Sequence, residues 1–270
     1  MTASLRNQFD LSGRVAFLTG SSHILGPEFA AALAEFGARI VIVDIDGSRA
    51  ERVCEDLAAT FGVLSRAIVA DVSDESAVES AVERTLQEFG RIDILLNGAA
   101  FKSSDYFRAT EEYPLEDWNQ VLGVNLTGMF LCTKHVLPHF LTQKAGVIIN
   151  IASIYGVVGP DPHLYEGSRY LDQPINTPAV YAASKAGVVG FTRYLATTYA
   201  SHNIRANCIT PGGVSSGQNQ TFVESYSARA PLGRMARREE LRGAALFLAS
   251  DASSYVTGHN LVVDGGFTAW

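Results

Sequence analysis

The sequence predicts an α/β fold in which one doubly wound parallel sheet of about seven strands is covered by helices on both faces. Two observations favour it: apolar runs alternate with helical patterns along the whole chain, and each apolar run is continuous instead of alternating with polar residues. Continuous apolar runs are typical of strands buried on both faces, and helical crossovers between such strands make them parallel.

Seven segments have this strand character. In chain order they are RVAFLTG, RIVIVD, SRAIVAD, IDILLNG, GVIINIAS, NIRANCIT and HNLVVDGG. Helical patterns separate them, and the predicted helices cover EFAAALAEFG and residues 48–61, 73–89, 115–143, 181–202 and 238–249. No repeat, linker or hinge signal interrupts the chain, so we expect its 270 residues to form a single domain.

Composition and charge exclude several classes of protein. The chain is 47% hydrophobic and 18% charged, which is ordinary for a globular α/β protein and too apolar for a disordered one. Its net charge of −7 and the lack of a Lys/Arg-rich run argue against a nucleic-acid partner. No stretch reaches the ~18 apolar residues of a membrane span, and the first residues lack the apolar core of a signal peptide. We therefore expect a cytoplasmic protein without a membrane partner.

Cysteine and histidine residues predict no metal site. Cys54, Cys132 and Cys208 are widely separated in apolar surroundings and are predicted to be reduced core residues. His135 and His139 have the i, i+4 spacing of zinc ligands on a helix, but no third ligand is apparent in the sequence. Packing or surface exposure is the expectation for both histidines.

The segment TGSSHILG, from Thr19 to Gly26, lies between the first strand and the first helix, where a dinucleotide-binding turn belongs. A helix N-terminus offers free N–H groups to a pyrophosphate, and glycines let the backbone approach the phosphates. Asp44 ends the second strand 18 residues after Gly26, close to the ~20 expected for a carboxylate that binds the adenosine ribose. A carboxylate repels a 2′-phosphate, which favours NAD over NADP, although His23 offers partial positive charge. Alternatively, the glycines serve only a tight turn and Asp44 caps a helix.

A second group of residues suggests proton chemistry. Tyr181 and Lys185 are four apart, so on a helix they lie on one face. A phenol has a pKa near ~10, and a nearby ammonium favours the phenolate, which would lower that pKa toward neutral pH. Ser153 ends a predicted strand, at the sheet edge where open parallel sheets bind ligands. The alternative is an ordinary helix with a surface tyrosine and lysine.

Together these motifs resemble the single-domain, NAD(P)-dependent short-chain dehydrogenase/reductase family over essentially the whole chain. Beyond the first turn, the matching features are Asp71-Val72, Asn97 in LLNGAA, Asn125 in VLGVNLTG, Ser153, Tyr181-x-x-x-Lys185, Pro211-Gly212 and VVDGG. The resemblance implies a Rossmann-like fold and an oxidoreductase that interconverts an alcohol and a carbonyl.

The resemblance also implies a role for each matching residue. Tyr181 would be the general acid/base, Lys185 would lower its pKa and bind the nicotinamide ribose, and Ser153 would hydrogen-bond the reacting oxygen. Asn125 would support a water relay to Lys185. Asp71 and Val72 would hold the adenine, and Val214 the carboxamide. The implied cofactor-binding set is Gly20, Ser22, His23, Ile24, Leu25, Asp44, Asp71, Val72, Asn97, Gly98, Ala99, Tyr181, Lys185, Pro211, Gly212 and Val214.

Three positions depart from the family pattern. Ile24 stands where the family has the middle glycine of the first turn, so its side chain has to point away from the pyrophosphate. The sequence NGAA replaces the usual NNAG from Asn97 onward. Ser153 and Tyr181 are 28 residues apart, more than is usual, so residues of about 156–180 are predicted to be an inserted loop beside the active site. The alternative for this loop is a surface decoration or an oligomer contact.

The insertion resembles a branch of the family that acts in sugar modification, which also lacks the middle glycine and carries SIYG and YEG motifs. Its polar residues suit sugar hydroxyls or a phosphate: Asp161, His163, Tyr165, Glu166, Arg169, Tyr170, Asp172 and Asn176. We therefore predict NAD-dependent chemistry at a secondary alcohol of a sugar or sugar derivative. The alternatives are an NADPH-dependent 3-oxoacyl-thioester (acyl carrier protein) reductase, and a non-catalytic dinucleotide-binding sensor or structural protein, which Ile24 favours.

The remaining predictions concern the substrate and the assembly. The predicted substrate residues are Ser153, Tyr155, Tyr165, Gln218 and Phe222. Residues of about 213–236 are predicted to be a substrate-gating segment, with a mobile polar loop as the alternative. The family resemblance implies a small-molecule substrate and a homodimer or homotetramer built from the helices of residues 115–143 and 181–202.

Overall fold

The computed structural model describes residues 4–170 and 173–270, and its centre is a sheet of parallel strands. The strands are β1 (Val15–Thr19), β2 (Arg39–Asp44), β3 (Ser65–Val69), β4 (Ile94–Asn97), β5 (Gly146–Ile151), β6 (Arg169–Tyr170), β7 (Gln173–Pro174), β8 (Ile204–Pro211) and β9 (Asn260–Val263). Seven of them form the parallel sheet in the order β3-β2-β1-β4-β5-β8-β9, and β6 and β7 pair as a separate antiparallel hairpin. All seven predicted strands are confirmed.

Helices cover both faces of the sheet, as predicted. They are α1 (Leu5–Gln8), α2 (Gly26–Glu35), α3 (Gly47–Phe61), α4 (Glu75–Phe89), α5 (Leu115–Leu122), α6 (Met129–Gln143), α7 (Ala179–Tyr199), α8 (Gln220–Arg229) and α9 (Arg242–Ala249). One buried apolar layer joins the sheet to α2, α3 and α9, and a second joins its other face to α4, α6 and α7. The chain is therefore a single doubly wound domain.

The strand order reverses at β1, which pairs with β2 on one side and with β4 on the other. Connections on the two sides of this point leave in opposite directions, so a crevice opens at the carboxyl ends of β1 and β4. Thr19 and Asn97 are register partners at these ends, and Asn150 of β5 is the next partner along the sheet. The fold thus places the predicted site residues around one crevice.

The long predicted helix of residues 115–143 is continuous but not uniform. A π-helical segment, Gly123–Gly128, joins α5 to α6. Such segments insert a wider turn into a helix and occur often at functional sites. Here the segment contains the buried Asn125, whose Oδ1 accepts from the Phe101 amide at 2.8 Å and whose Nδ2 donates to the Ser184 hydroxyl at 3.3 Å.

The structure differs from the sequence prediction in two regions. The segment predicted to be a gate or a mobile polar loop contains the helix α8, with Asn219 as its N-cap. The predicted insertion contains the β6–β7 hairpin and a 3₁₀ turn, Pro162–Tyr165. None of the described helices is long and apolar enough to cross a membrane.

Candidate active site

A cavity of about 1310 Å³ occupies the crevice. Most of the residues predicted to bind the cofactor line it: Gly20, His23, Ile24, Leu25, Asp44, Asp71, Val72, Gly98, Ala99, Tyr181, Lys185, Pro211, Gly212 and Val214. Ser153 lines it as well. The structure therefore brings the predicted dinucleotide turn and the predicted catalytic residues to one space.

The turn between β1 and α2 needs its glycines for steric reasons. Gly20 has φ +62°, and a Cβ on it would lie 2.3 Å from the Ala99 Cα. A Cβ on Gly26 would lie 2.2 Å from the Ser21 Cα. The backbone of this turn therefore packs closely at the start of α2, where free N–H groups favour an anion.

Ile24 lies in this turn with φ +44°. A β-branched residue in the left-handed region is a conformational outlier, and the cost is of the order of 1–2 kcal/mol. The side chain lines the cavity and is 49% exposed, so packing recovers little of this cost. Ile24, which replaces the middle glycine of the family pattern, is thus a strained position of the folded chain.

Asp44 is buried at the end of β2, and its carboxylate is held by two backbone amides. Oδ2 accepts from the Ser22 amide and Oδ1 from the Asp46 amide, both at 3.0 Å. The cap of α3 is Asp46, which accepts from the Arg49 amide at 3.0 Å. Asp44 is therefore not the helix cap considered as its alternative role, and its carboxylate is fixed at the cavity wall.

A basic residue that sequence reasoning missed, Arg49, lies beside the His23 ring and the Asp46 carboxylate. Arg49 places a guanidinium nitrogen 2.5 Å from the His23 Nδ1, and its Nε lies 3.4 Å from the Asp46 Oδ2. The signal in the sequence was its place in the first turn of the helix that follows Asp44. The Arg49 guanidinium, held against the His23 ring, adds positive charge near the end of β2.

Lys185 is buried on α7, and its ammonium donates to the Ile151 carbonyl at 2.8 Å. Burial lowers the pKa of Lys185 to about 8. Its Nζ lies 5.8 Å from the ring centre of Tyr181, one helical turn away. The lysine is therefore held between the end of β5 and the tyrosine ring.

Tyr181 does not have the lowered pKa predicted from its spacing to Lys185. Burial raises the pKa of Tyr181, and a hydrogen bond with Ser153 lowers it by less. Lys185 is not among the groups that shift this pKa, and its ammonium donates to the Ile151 carbonyl. The side chains of the protein thus favour the neutral phenol, which is a proton donor.

Two predicted polar residues lie behind the cavity wall. Asn97 donates to the Asn150 Oδ1 at 2.9 Å, and Asn150 donates to the Thr192 hydroxyl at 2.9 Å. Asn125 ties the loop after β4 to α7 through the contacts given above. Their side chains connect the strand ends and the π-helical segment, and they are not among the described residues that line the cavity.

Three of the predicted substrate residues, Tyr155, Tyr165 and Phe222, form a separate cluster beside the cavity. The Tyr165 hydroxyl donates to that of Tyr155 at 2.5 Å and lies 2.5 Å from the Thr177 hydroxyl. Its ring stacks on that of Phe222, with centres 5.6 Å apart. Gln218 donates to the Val214 carbonyl at 2.9 Å. Their contact with substrate stays a prediction.

The insertion packs against α8. Its Asp161 accepts from Arg229 at 2.9 Å, and the Arg169 carbonyl accepts from Asn219 at 3.0 Å. These contacts join the predicted insertion to the predicted gating segment. Asp172, one of the polar residues predicted to suit sugars, lies outside the described residues.

One face of α5 lines the cavity, and sequence reasoning missed it. The lining residues here are Leu115, Glu116, Asn119, Gln120, Gly123 and Val124. Their spacing is that of a single helical face, so the helical period was the signal that could have found them. Phe101, in the loop before α5, also lines the cavity.

The described residues contain no group of three His, Cys, Asp or Glu side chains placed to hold a metal ion. His135 faces the Glu75 carboxylate, with Nε2 3.2 Å from Oε1.

Comparison with known proteins identifies the family. A family profile described as enoyl-(acyl carrier protein) reductase matches residues 20–268. D-threitol dehydrogenase of Mycolicibacterium smegmatis is 36% identical over 265 residues, which cover 96% of this chain and 95% of that protein. The 3-oxoacyl-[acyl-carrier-protein] reductase of Thermotoga maritima is 34% identical over 260 residues, with 95% and 98% covered.

Solved structures agree with this result. The gluconate 5-dehydrogenase of Burkholderia cenocepacia, in complex with NADP and tartrate, has a TM-score of 0.87 at 32% identity, covering 99% of this chain and 100% of that one. An NAD⁺-bound xylitol dehydrogenase has a TM-score of 0.84 at 31% identity, covering 94% and 99%. The chain therefore belongs to the short-chain dehydrogenase/reductase family and is an oxidoreductase.

The residues around the first turn fit a nicotinamide dinucleotide. Gly20 and Gly26 pack without a Cβ against the backbone of Ala99 and Ser21, and both line the cavity beside the N-terminus of α2. The buried Ser22 hydroxyl has no hydrogen-bond partner among the described residues. Ser22 itself is not among the described residues that line the cavity, so its contact with the cofactor stays a prediction.

Proposed function

We propose that the protein is an NAD-dependent dehydrogenase that interconverts a secondary alcohol and a ketone of a sugar or sugar derivative, with Tyr181 as general acid/base. One observation carries this proposal: Ser153, Tyr181 and Lys185 line the same cavity as the first turn and Asp44. A reaction that moves a hydride and a proton needs the residues that hold the cofactor and the residues that exchange the proton to share one cavity.

A bound dinucleotide would supply hydride chemistry at the carbinol carbon, and the first turn, Asp44 and Lys185 would hold it. Tyr181 exchanges a proton between its hydroxyl and the substrate oxygen, and the Ser153 hydroxyl donates a second hydrogen bond to that oxygen. Lys185, with a pKa of about 8, holds a proton that is easily exchanged near neutral pH. The neutral phenol suits the direction of ketone reduction, in which Tyr181 donates.

NAD is the proposed cofactor because the carboxylate of Asp44 is fixed at the cavity wall by two amides. It accepts from both and so keeps an orientation in which it repels a 2′-phosphate and accepts from a ribose hydroxyl. The His23 and Arg49 pair supports NADP instead. The two compared structures bind NADP and NAD respectively, so either cofactor is compatible with the family.

A sugar-like substrate is supported by the relatives and by the polar character of the site. One relative acts on D-threitol, and one compared structure is a gluconate 5-dehydrogenase. The hydroxyls of Tyr155, Tyr165 and Thr177 form a hydrogen-bonded chain beside the cavity that suits other hydroxyls. The 3-oxoacyl-thioester reductase stays the second candidate, because the family profile and the Thermotoga maritima relative carry reductase names.

Fluorescence titration with NADH and NADPH is the first test. We expect NADH to bind more tightly, and preference for NADPH would contradict the role of Asp44.

Rates with D-threitol, D-gluconate and acetoacetyl-CoA, each with both cofactors, then separate the sugar dehydrogenase from the 3-oxoacyl-thioester reductase. Activity on the thioester alone would refute the sugar proposal. Binding of neither dinucleotide would refute both.

The proposed assembly is a homodimer or homotetramer formed through the α5–α6 region and α7. Phe130 on α6 and Tyr194 on α7 are exposed large side chains on these helices. Light scattering that gives the mass of one chain would contradict this proposal.

A further inference from the structure

The loop between β4 and α5 covers the proposed proton donor on one side. We call residues 101–109 the cap loop. The Tyr106 ring of the cap loop packs edge-on against the Tyr181 ring, with ring centres 6.3 Å apart and planes at 69°. Edge-to-face pairs at this distance are favourable, so the contact helps to fix the loop over Tyr181.

Contacts on several sides hold the cap loop in place. The Phe101 amide donates to Asn125 at 2.8 Å, and the Asp105 amide donates to the buried Asp117 at 3.2 Å. From the insertion, Asn176 donates to the Phe107 carbonyl at 2.9 Å. The insertion thus reaches the neighbour of Tyr106 in the chain and braces the loop from outside.

Tyr106 combines a fixed ring with an available hydroxyl. The Lys102 ammonium lies 5.5 Å from its ring centre, and burial raises the pKa of Tyr106, with Tyr181 and Tyr165 adding to this effect. No described residue forms a hydrogen bond with the Tyr106 hydroxyl, while those of Tyr155 and Tyr165 are bonded to each other. The Tyr106 hydroxyl therefore keeps its hydrogen-bonding capacity, and its ring packs against the Tyr181 ring, although Tyr106 is not among the described residues that line the cavity.

A substrate must bring its reacting carbon within hydrogen-bond reach of Tyr181. A ring centred 6.3 Å from the Tyr181 ring leaves little room on that side for a chain that extends beyond the reacting carbon. A small polyol fits such a space and offers a further hydroxyl to the unused one. A long acyl chain has to displace the ring.

We propose that Tyr106 is a specificity-determining residue: its ring limits the site to compact polyhydroxylated alcohols, and its hydroxyl binds a second hydroxyl of such a substrate. This inference rests on the proposed function. In this proposal the insertion affects specificity indirectly, because Asn176 braces the cap loop.

The test compares Tyr106→Ala and Tyr106→Phe with wild type on D-threitol, acetoacetyl-CoA and 3-oxooctanoyl-CoA. We expect Tyr106→Ala to raise the ratio of kcat/KM for the long thioester to kcat/KM for the polyol by about tenfold or more. Tyr106→Phe keeps the ring, so it should keep the discrimination between short and long thioesters and raise KM for the polyol several-fold. Asn176→Ala should change the ratio in the same direction as Tyr106→Ala, but less.

Tyr255→Phe is the matched control, since Tyr255 is fully exposed and lies outside both the cap loop and the residues that line the cavity. It should leave the ratio unchanged, and thermal unfolding of each variant identifies any that fails to fold. A ratio within twofold of wild type in folded Tyr106→Ala would overturn the inference.

The proposed function can fail separately. In that case wild type is inactive on polyols, and the ratio of long to short thioester still reports on the ring. Wild type that already reduces the long thioester as well as the short one would overturn the role of Tyr106.

Discussion

The cofactor side and the substrate side of the cavity are made from different parts of the chain. The cofactor side consists of strand ends and the turn into α2, which the parallel sheet holds in register. The proposed substrate side consists of the cap loop, the insertion and α8, which lie beside the cavity and hold one another through hydrogen bonds. We therefore expect the chemistry shared by the family to depend on the sheet, and discrimination between substrates to depend on the loops.

The strongest way to separate the two sides is Tyr181→Phe. Removing the hydroxyl removes proton exchange with the substrate oxygen, so kcat should fall by about 10²–10⁴. The ring remains against Tyr106 and Lys185, so NADH affinity should change little. Steady-state rates and fluorescence titration measure the two effects.

Tyr194→Phe is the control, because this tyrosine is exposed on the same helix. Comparable rates for Tyr181→Phe and wild type would contradict the proposed mechanism. A loss of NADH binding together with rate would place Tyr181 on the cofactor side instead.

The cofactor side was predictable because its residues lie at the ends of continuous apolar runs or just after them. A continuous apolar run ends at Gly20 and another at Asp44, and parallel pairing brings such ends together whatever the loops do. The same reasoning found Ser153, Tyr181 and Lys185, since each lies at a strand end or on a regular helix.

The substrate side was not predictable, because its contacts join distant segments. Asn176 and Phe107 are 69 positions apart, and nothing local to either indicates the hydrogen bond between them. Helix α8 was missed since its residues are largely polar and only Tyr226 is buried. The raised pKa of Tyr181 was missed because burial is a property of the packed site, whereas the spacing to Lys185 is visible in the sequence.

Lys185→Met tests the region where the two sides meet. An unfolded lysine has a pKa near ~10.4, and the folded value is about 8, so protonation favours the unfolded chain. This penalty is full below pH 8, where it is about 3 kcal/mol, and it fades as the pH rises from 8 to about 10.5. The lost hydrogen bond to Ile151 costs about 1 kcal/mol. We therefore expect Lys185→Met to stabilise the protein by about 2 kcal/mol at pH 7.

Urea unfolding at pH 7 and pH 10 measures this difference. The gain should shrink or reverse at pH 10, while rates with any substrate should fall at both values. Lys134→Met, on the exposed face of α6, is the matched control and should change stability little. Equal gains at the two pH values would contradict the assigned cause.

Ile24→Gly has the smallest expected effect and asks whether the cofactor side carries strain. Glycine accepts φ +44° without cost, which should stabilise the fold by about 1 kcal/mol before the entropy of the more flexible unfolded chain is subtracted. The net change in Tm should therefore be small and positive, about 1–2 °C. Because the side chain lines the cavity, NADH affinity should rise several-fold.

Ile24→Ala keeps a Cβ at the same φ and removes only bulk, so it separates backbone strain from obstruction of the cofactor. Tighter NADH binding in both variants would assign the effect to bulk, and tighter binding in glycine alone would assign it to the backbone. No change in either would mean that the turn binds the dinucleotide equally well with isoleucine, and that the family's middle glycine is dispensable in this chain.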